Sequence, residues 1–161
     1  MKVQSAWGII YYIDPATKEP KFLLIKRHSL SKKIERVAPK WKIEHWEKPE
    51  QAALREISEE AWLKQEHMKI KQMLGTLSLQ LYNEDGKLGV DKDITYFLVQ
   101  YAGDPEKVEI EHGWGFLGSW KWATIKEVMW LVYYKDFREL FRRSLHLIGT
   151  FQISDNFIKN F

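Results

Sequence analysis

The spacing of apolar residues predicts strands in the first quarter of the chain. An apolar, β-rich run covers Val3–Ile13 and is predicted to be a buried strand. Residues 14–20 include two prolines and an aspartate and are predicted to form a turn. The apolar residues 22–25 follow, so the two runs should form a hairpin. Residues 28–48 are polar and lack a regular period, and we expect an irregular loop there.

The rest of the chain mixes helical and strand patterns. Pro49 is predicted to begin a helix that runs to about Trp62, because proline suits the first helical turn, where its missing N–H is not needed. The other predicted elements are long strands at 68–82 and 94–101 around a turn at 83–86, a strand at 120–123, a short helix starting at 125–128 and an amphipathic helix at 136–147. This order indicates one α+β domain over residues 1–161, with helices packed on a mixed sheet.

Composition excludes several classes of protein. The chain has 161 residues, which suits one domain, and its 25 Lys and Arg against 22 Asp and Glu give a net charge of +3. That mild charge tolerates an anionic ligand but does not favour nucleic acid. The chain has no cysteine, and its five histidines lack the spacing of a zinc site. No apolar run reaches about 18 residues and no signal segment opens the chain, so we expect a cytoplasmic protein without a membrane partner.

Three glutamates share one face of the helix predicted at residues 49–62. Glu56, Glu59 and Glu60 stand at positions i, i+3 and i+4. They repel one another, and they lie toward the helix C-terminus, where the helix dipole disfavours anions. Such a cluster is a candidate ligand set for a hard divalent cation such as Mg²⁺, which prefers oxygen ligands. The alternative is an ordinary solvated acidic face in which Arg55 pairs with Glu59 at i+4.

The same segment resembles the signature of a known family, the Nudix box. That motif reads Gly, five residues, Glu, seven residues, Arg-Glu, an apolar residue, any residue, Glu-Glu, any residue, Gly and an apolar residue. Glu47 stands eight residues before Arg55, residues 55–60 match without a gap, and Leu63 fills the final apolar position. The motif is long, and chance is a poor explanation for the match. The resemblance implies one Nudix hydrolase domain along the whole chain, folded as an α/β/α sandwich with a mixed β-sheet between helices.

The resemblance also implies a role for the residues of the box. Glu56, Glu59 and Glu60 would bind the metal ion, Mg²⁺ with Mn²⁺ as a substitute. One of these carboxylates, or one from a later loop, would take a proton from the attacking water. Arg55 would orient the carboxylates by pairing with them, and Glu47 would hold the preceding loop to the helix.

Further candidate residues lie outside the box. The late carboxylate would be Glu109 or Glu111, between which spacing does not choose, and an exposed loop glutamate is the alternative for each. The candidate substrate contacts are Lys40, Lys42, Lys26 and Arg27 for phosphate groups, and Tyr82 for stacking on a base. The alternative is plain surface charge for the basic residues and a core or sheet position for the tyrosine.

Tryptophan occupies positions where the extended family pattern has glycine. The two box glycines fall at Trp41 and Trp62, and the glycine that usually precedes the box glutamate falls at Trp46. Trp7 stands where similar family members often have glycine. Glycine serves positions with φ above zero or with close backbone approach, and tryptophan is unsuited to both. We therefore expect the fold to survive and the activity of this chain to be impaired.

Three origins would explain these tryptophans. A natural pseudoenzyme could have filled its pocket with aromatic residues, or the residues could be introduced probes. The third is a decoding effect: some bacterial lineages read the UGA triplet as glycine and others read it as tryptophan. A glycine-reading gene translated with the tryptophan table would give this pattern, and we favour that hypothesis. UGG codons at positions 41, 46 and 62 of the coding DNA would contradict it.

The resemblance implies a divalent-metal-dependent hydrolase that cleaves a pyrophosphate bond in a nucleoside diphosphate linked to another group. Nucleoside triphosphates and dinucleoside polyphosphates are favoured, and ADP-ribose remains open. The partner would then be a small-molecule nucleotide pyrophosphate, and the protein a monomer or a homodimer. One alternative is a non-catalytic Nudix-fold nucleotide-binding module whose tryptophans stack on a base. Another is a single-strand nucleic-acid binder, against which the net charge of +3 argues.

Overall fold

The computed structural model describes residues 2–28, 34–37, 40–42, 48–109, 112–113, 116–132 and 134–159. The strands are β1 (Val3–Ile13), β2 (Pro20–His28), β3 (Ile34–Val37), β4 (Lys40–Lys42), β5 (Met68–Tyr82), β6 (Leu88–Tyr101), β7 (His112–Gly113) and β8 (Phe116–Ala123). The helices are α1 (Pro49–Ala61), α2 (Ile125–Leu131) and α3 (Lys135–Lys159), with short 3₁₀ turns at Gln65–His67 and Pro105–Lys107.

The strands form one mixed sheet with the order β5-β6-β1-β2-β8-β7, in which β3 lies beside β2 and β4 beside β1. The predicted hairpin is confirmed, because β1 and β2 pair antiparallel. In contrast, β1 runs parallel to β6. The β5–β6 hairpin closes at the predicted turn, where the Asn83 side chain accepts hydrogen bonds from the backbone N–H groups of Asp85 and Lys87. Asparagine side chains commonly accept hydrogen bonds from backbone N–H groups a few residues later, and such bonds stabilise the turn.

Helices cover both faces of the sheet, which confirms the α/β/α arrangement. On one face α2 and α3 pack over a cluster in which the rings of Phe22 and Phe141 meet edge to face, with centroids 5.3 Å apart. On the other face α1 packs through Ile57 over Ile10 and Phe97. The side chains of successive strand residues point to opposite faces, so each central strand contributes to both clusters.

The prediction of an irregular loop at residues 28–48 is wrong for part of that segment. Its described residues include β3, which pairs with the end of β2, and β4, which pairs with β1 at Ser5 to Trp7. Both strands have only three or four residues, too few to show the apolar alternation that reveals a half-buried strand. They are strands because existing strand edges offer them hydrogen-bond partners.

The last helix and the sixth strand are longer than predicted. α3 continues to Lys159 instead of ending at residue 147, because Ile148 is buried and Phe151 packs on the same apolar cluster. β6 begins at Leu88 instead of residue 94, since its polar first half pairs with β5. In the described part of the chain, no helix is long and apolar enough to cross a membrane.

α1 ends in a left-handed residue, as expected for the last glycine position of the box. Trp62 is the C-terminal cap, with φ 56° and ψ 26°, and its side chain is 59% exposed. Glycine adopts this conformation without strain, whereas other residues lose roughly 1–2 kcal/mol there. Trp7 and Trp41 instead lie in strands, where they pair with Lys40 and Ala6 respectively. Trp46 lies outside the described residues.

We expect Trp62→Gly to stabilise the protein, because it relieves the left-handed strain while removing a mostly exposed side chain. The free energy of unfolding should rise by about 1 kcal/mol, measured by urea denaturation. Trp130→Gly is the matched control, since Trp130 is 90% exposed but lies within α2. Glycine costs roughly 0.5 kcal/mol in a helix, so this variant should be less stable than the parent. Equal destabilisation by both substitutions would contradict strain at Trp62.

Candidate functional site

α1 approaches the sheet closely because its inward face is built from small residues. Ala52, Ala53, Ile57 and Ala61 are all fully buried, and Leu54 packs beside them. The helix begins with Pro49 in its first turn, as predicted. With this face fixed against the sheet, Glu59 lies on the exposed side of the helix, whereas Glu56, one turn after Ala52 and Ala53, lies at the border of the buried face.

Arg55 joins two of the candidate glutamates. Its Nη1 atom lies 2.8 Å from Oε1 of Glu56 and 3.1 Å from Oε2 of Glu59. Glu59 is largely exposed, whereas Glu56 is mostly covered. The Arg55–Glu59 pair alone would suit an ordinary acidic face. The nitrogen shared with Glu56 is additional evidence for a cation site, because it holds two carboxylates near each other despite their mutual repulsion.

The end of α1 is electrostatically suited to a cation. The helix has no basic residue in its last turn, and its final carbonyl groups carry the negative end of the helix dipole. Carboxylate oxygens are hard ligands of the kind that Mg²⁺ prefers, so Glu56 and Glu59 fit a divalent ion chemically. Among the side chains that the structure describes, no group of three His, Asp or Glu residues is close enough together to hold a metal ion. The side chain of Glu60 lies outside that described set.

The structure brings one of the two late-carboxylate candidates to the end of α1. The backbone N–H of Glu109 donates to the carbonyl of Ala61 over 3.2 Å, which satisfies one of the unpaired carbonyls at the helix end. The preceding Val108 is 3% exposed and packs in the cluster under α1. Glu109 is exposed beside the last turn of the helix. Glu111, the other candidate, lies outside the described residues, as does Glu47.

The candidate substrate residues are placed less completely. Lys40 and Lys42 lie in β4, which contacts α1, and Lys26 and Arg27 lie at the end of β2. Only the backbone of these four residues is described. Tyr82 is the last residue of β5 and is 64% exposed, so it is not a core residue. It does occupy the sheet position given as the alternative, and its exposed ring remains a candidate for stacking on a base.

Sequence reasoning missed the residues that fix the segment before Glu109. The Trp122 indole N–H donates to the carbonyl of Pro105 over 2.8 Å, and the Tyr101 hydroxyl donates to the carbonyl of Asp104 over 2.9 Å. Burial, and secondarily the charge of Asp104, raises the pKa of Tyr101, so its hydroxyl keeps the proton it donates. The Asp104-Pro105 pair is a signal for a capped turn, but Trp122 lies 17 residues from Pro105, and its hydrogen bond has no local signature.

Comparison with known proteins identifies a family and a fold. The family model described as "NUDIX domain" matches residues 2–144. An Ap4A hydrolase from C. elegans, solved as a binary complex, is 25% identical with a TM-score of 0.69, covering 91% of this chain and 98% of its own. A Nudix hydrolase from M. smegmatis, RenU, is 18% identical with a TM-score of 0.68, covering 92% of this chain and 87% of its own.

A third solved structure, the E. coli dihydroneopterin triphosphate pyrophosphohydrolase, is similar at a TM-score of 0.65 and 16% identity. The match covers 88% of this chain and 94% of that enzyme. The two likenesses under 25% identity support the fold alone. A search of curated proteins found no match.

Proposed function

The chain belongs to the Nudix family, and from that membership we propose that it is a divalent-metal-dependent pyrophosphohydrolase. Its substrate would be a nucleoside diphosphate linked to another group, with a nucleoside triphosphate or a dinucleoside polyphosphate favoured. The observation that carries the proposal is the Arg55 nitrogen shared by Glu56 and Glu59, beside the helix end that receives Glu109. Two neighbouring carboxylates support a cation-binding helix face, because hard cations prefer carboxylate oxygens.

Glu56, Glu59 and Glu60 would hold the ion, and Glu109 would supply the late carboxylate, a choice supported by the hydrogen bond of its backbone N–H to Ala61. The bound Mg²⁺ supplies charge neutralisation of the diphosphate oxygens and a more acidic water. Arg55 keeps the carboxylates of Glu56 and Glu59 oriented, so less reorganisation is needed when the substrate arrives. One of these carboxylates accepts a proton as water oxygen bonds to phosphorus and the bridging oxygen leaves.

The substrate preference is supported by the similarity to the Ap4A hydrolase from C. elegans. An exposed aromatic ring at Tyr82 suits stacking on a nucleobase, and Lys40, Lys42 and Arg27 are candidates for phosphate contact. A dinucleoside polyphosphate offers two bases and a long phosphate chain, so it would use both kinds of residue. The Nudix domain of NrtR from Shewanella oneidensis was solved with ADP-ribose, which keeps that class in the comparison.

A product-resolved screen tests the proposed reaction. Dinucleoside tetraphosphates, nucleoside triphosphates and ADP-ribose would be incubated with the protein and either Mg²⁺ or Mn²⁺, and products separated by chromatography. We expect cleavage at a pyrophosphate link that depends on the metal. Tight nucleotide binding without any hydrolysis would instead favour the binding module, for which the exposed Trp62 at the end of α1 is the supporting observation.

Removing two of the carboxylates should remove the cation. We expect the double variant Glu59→Gln and Glu60→Gln to abolish Mn²⁺ binding in titration calorimetry, because neutral amides are much poorer ligands for hard cations. Circular dichroism should show an unchanged fold. Glu50→Gln is the matched control, since Glu50 lies in the first turn of the same helix, away from the cluster. An unchanged Mn²⁺ affinity in the double variant would contradict the metal site.

Restoring glycine at positions 41, 46 and 62 should raise activity. Bulky residues near the box would displace the glutamates, and a displacement of about 1 Å can cost ~100-fold in rate. We expect metal-dependent hydrolysis to increase at least about tenfold, equal to ~1.4 kcal/mol of barrier. Trp130→Gly, which changes an exposed residue of α2, should leave the rate unchanged. Equal rates for the parent and the restored chain would show that the tryptophans are tolerated.

A further inference from the structure

The segment that follows β6 is held at both of its ends by residues from other elements. At its start, the N–H of Ala102 donates to the carbonyl of His67 over 2.8 Å. At its end, the N–H of Glu109 donates to the carbonyl of Ala61 in α1 over 3.2 Å. Residues 102–109, which we call the anchor segment, therefore connect the end of β6 to the last turn of α1.

The first half of the anchor segment packs closely against Tyr101 at Gly103. A Cβ atom built on Gly103 would lie 2.4 Å from the Tyr101 hydroxyl oxygen and 2.7 Å from Nδ1 of His67. The Tyr101 hydroxyl donates to the carbonyl of Asp104 in the same place. Close packing and a directed hydrogen bond together restrict this part of the segment to one position.

Trp122 in β8 holds the middle of the anchor segment. Its indole stacks on the ring of Tyr101 with centroids 6.0 Å apart and planes 7° from parallel, and it meets Tyr12 edge to face. The indole N–H donates to the carbonyl of Pro105 over 2.8 Å. Because both neighbours fix the indole ring, its single donor points in one direction and can define the position of Pro105.

The second half of the segment transmits that position to Glu109. Asp104 caps the short 3₁₀ turn by accepting from the N–H of Glu106, and the N–H of Lys107 donates to the carbonyl of Asp104. Val108 then inserts into the cluster under α1. Only three residues separate Pro105 from Glu109: the last two residues of the 3₁₀ turn and the buried Val108.

We propose that Trp122 is a positioning residue, which sets the place of Glu109 against the last turn of α1 through its hydrogen bond to Pro105. This inference rests on the proposed function, in which Glu109 completes the divalent-cation site of α1. Trp122 touches neither the ion nor the substrate in this scheme. Its loss should therefore weaken cation binding only while the carboxylate of Glu109 is present.

A double-mutant cycle on the full chain tests this dependence. The four proteins are the parent, Trp122→Phe, Glu109→Gln and the double variant, and the measurement is Mn²⁺ affinity by titration calorimetry. Phenylalanine keeps a ring in the stack but removes the N–H donor. Residues that orient a metal ligand usually contribute about 10–100-fold to affinity, and we expect at least about a fivefold loss in Trp122→Phe. In the Glu109→Gln background the same substitution should have almost no effect.

Tyr12→Phe is the matched control, because it removes a hydroxyl from the same aromatic cluster and leaves the Trp122 N–H donor to Pro105 in place. It should leave Mn²⁺ affinity at the parent value. Tyr101→Phe is a second test of how the anchor segment is held, since it removes the hydroxyl that donates to the carbonyl of Asp104 and keeps the ring. Amide hydrogen exchange should report faster exchange at Glu109 in Trp122→Phe and Tyr101→Phe, and parent-like exchange in Tyr12→Phe.

The outcomes separate this inference from the proposed function. Equal Mn²⁺ affinities of the parent and of Trp122→Phe would overturn the positioning role alone. Equal losses from Trp122→Phe in both backgrounds would also overturn it, because the effect would not pass through Glu109. An unchanged affinity in Glu109→Gln would remove Glu109 from the site. A parent without Mn²⁺ affinity would contradict the proposed function itself, and the positioning role with it.

Discussion

The close contact between α1 and the sheet is the constraint on which the rest of the site depends. Alanines at positions 52, 53 and 61 have almost no side chain, so the helix axis can approach the strands, and Ile57 fills the remaining space over Phe97. Any larger residue in this face would move the helix outward. Because the inward face is fixed, the rotation of the helix is fixed too, and the direction of Glu56 and Glu59 follows from it.

The acidic face of α1 and the C-terminal end of that helix are held by neighbouring interactions. Arg55 reduces the repulsion between Glu56 and Glu59, and Ala61 offers its carbonyl to the backbone of Glu109. Trp62 follows directly in a left-handed conformation that a glycine would adopt without strain. The strained residue is therefore adjacent to the hydrogen bond that holds the backbone of Glu109. We expect a tryptophan at this position to affect both the free energy of unfolding and the geometry of the proposed site.

Much of the fold could be predicted from local patterns. The hairpin of β1 and β2, the start of α1 at Pro49 and the turn at Asn83 all have signals within a few residues of themselves. β3 and β4 could not be predicted, because each has only three or four residues and is a strand only through its pairing, β3 with the preceding strand β2 and β4 with the distant β1. α3 runs past its predicted end because Ile148 and Phe151 find a buried surface that only the folded sheet provides.

The candidate site shows the same division. The glutamates of α1 and their pairing with Arg55 follow from helical spacing and from the Nudix resemblance. The place of Glu109 beside α1 depends on a hydrogen bond across 48 residues of sequence, from position 109 to position 61, which no spacing rule predicts. The roles of Trp122 and Tyr101 could not be predicted either. An aromatic residue in a strand has the same sequence pattern whether or not it donates a hydrogen bond to a loop.

Pulsed electron paramagnetic resonance of bound Mn²⁺ tests the central claim most directly, namely that the carboxylates of α1 hold a cation against the substrate diphosphate. The sample would contain the protein, Mn²⁺ and a nucleotide analogue with a non-hydrolysable bridge between its phosphorus atoms. The account predicts a phosphorus coupling to protein-bound Mn²⁺, which disappears together with the bound ion when Glu59 and Glu60 are replaced by glutamine. A phosphorus coupling that persists unchanged in that variant would contradict it, because the ion would then be held elsewhere.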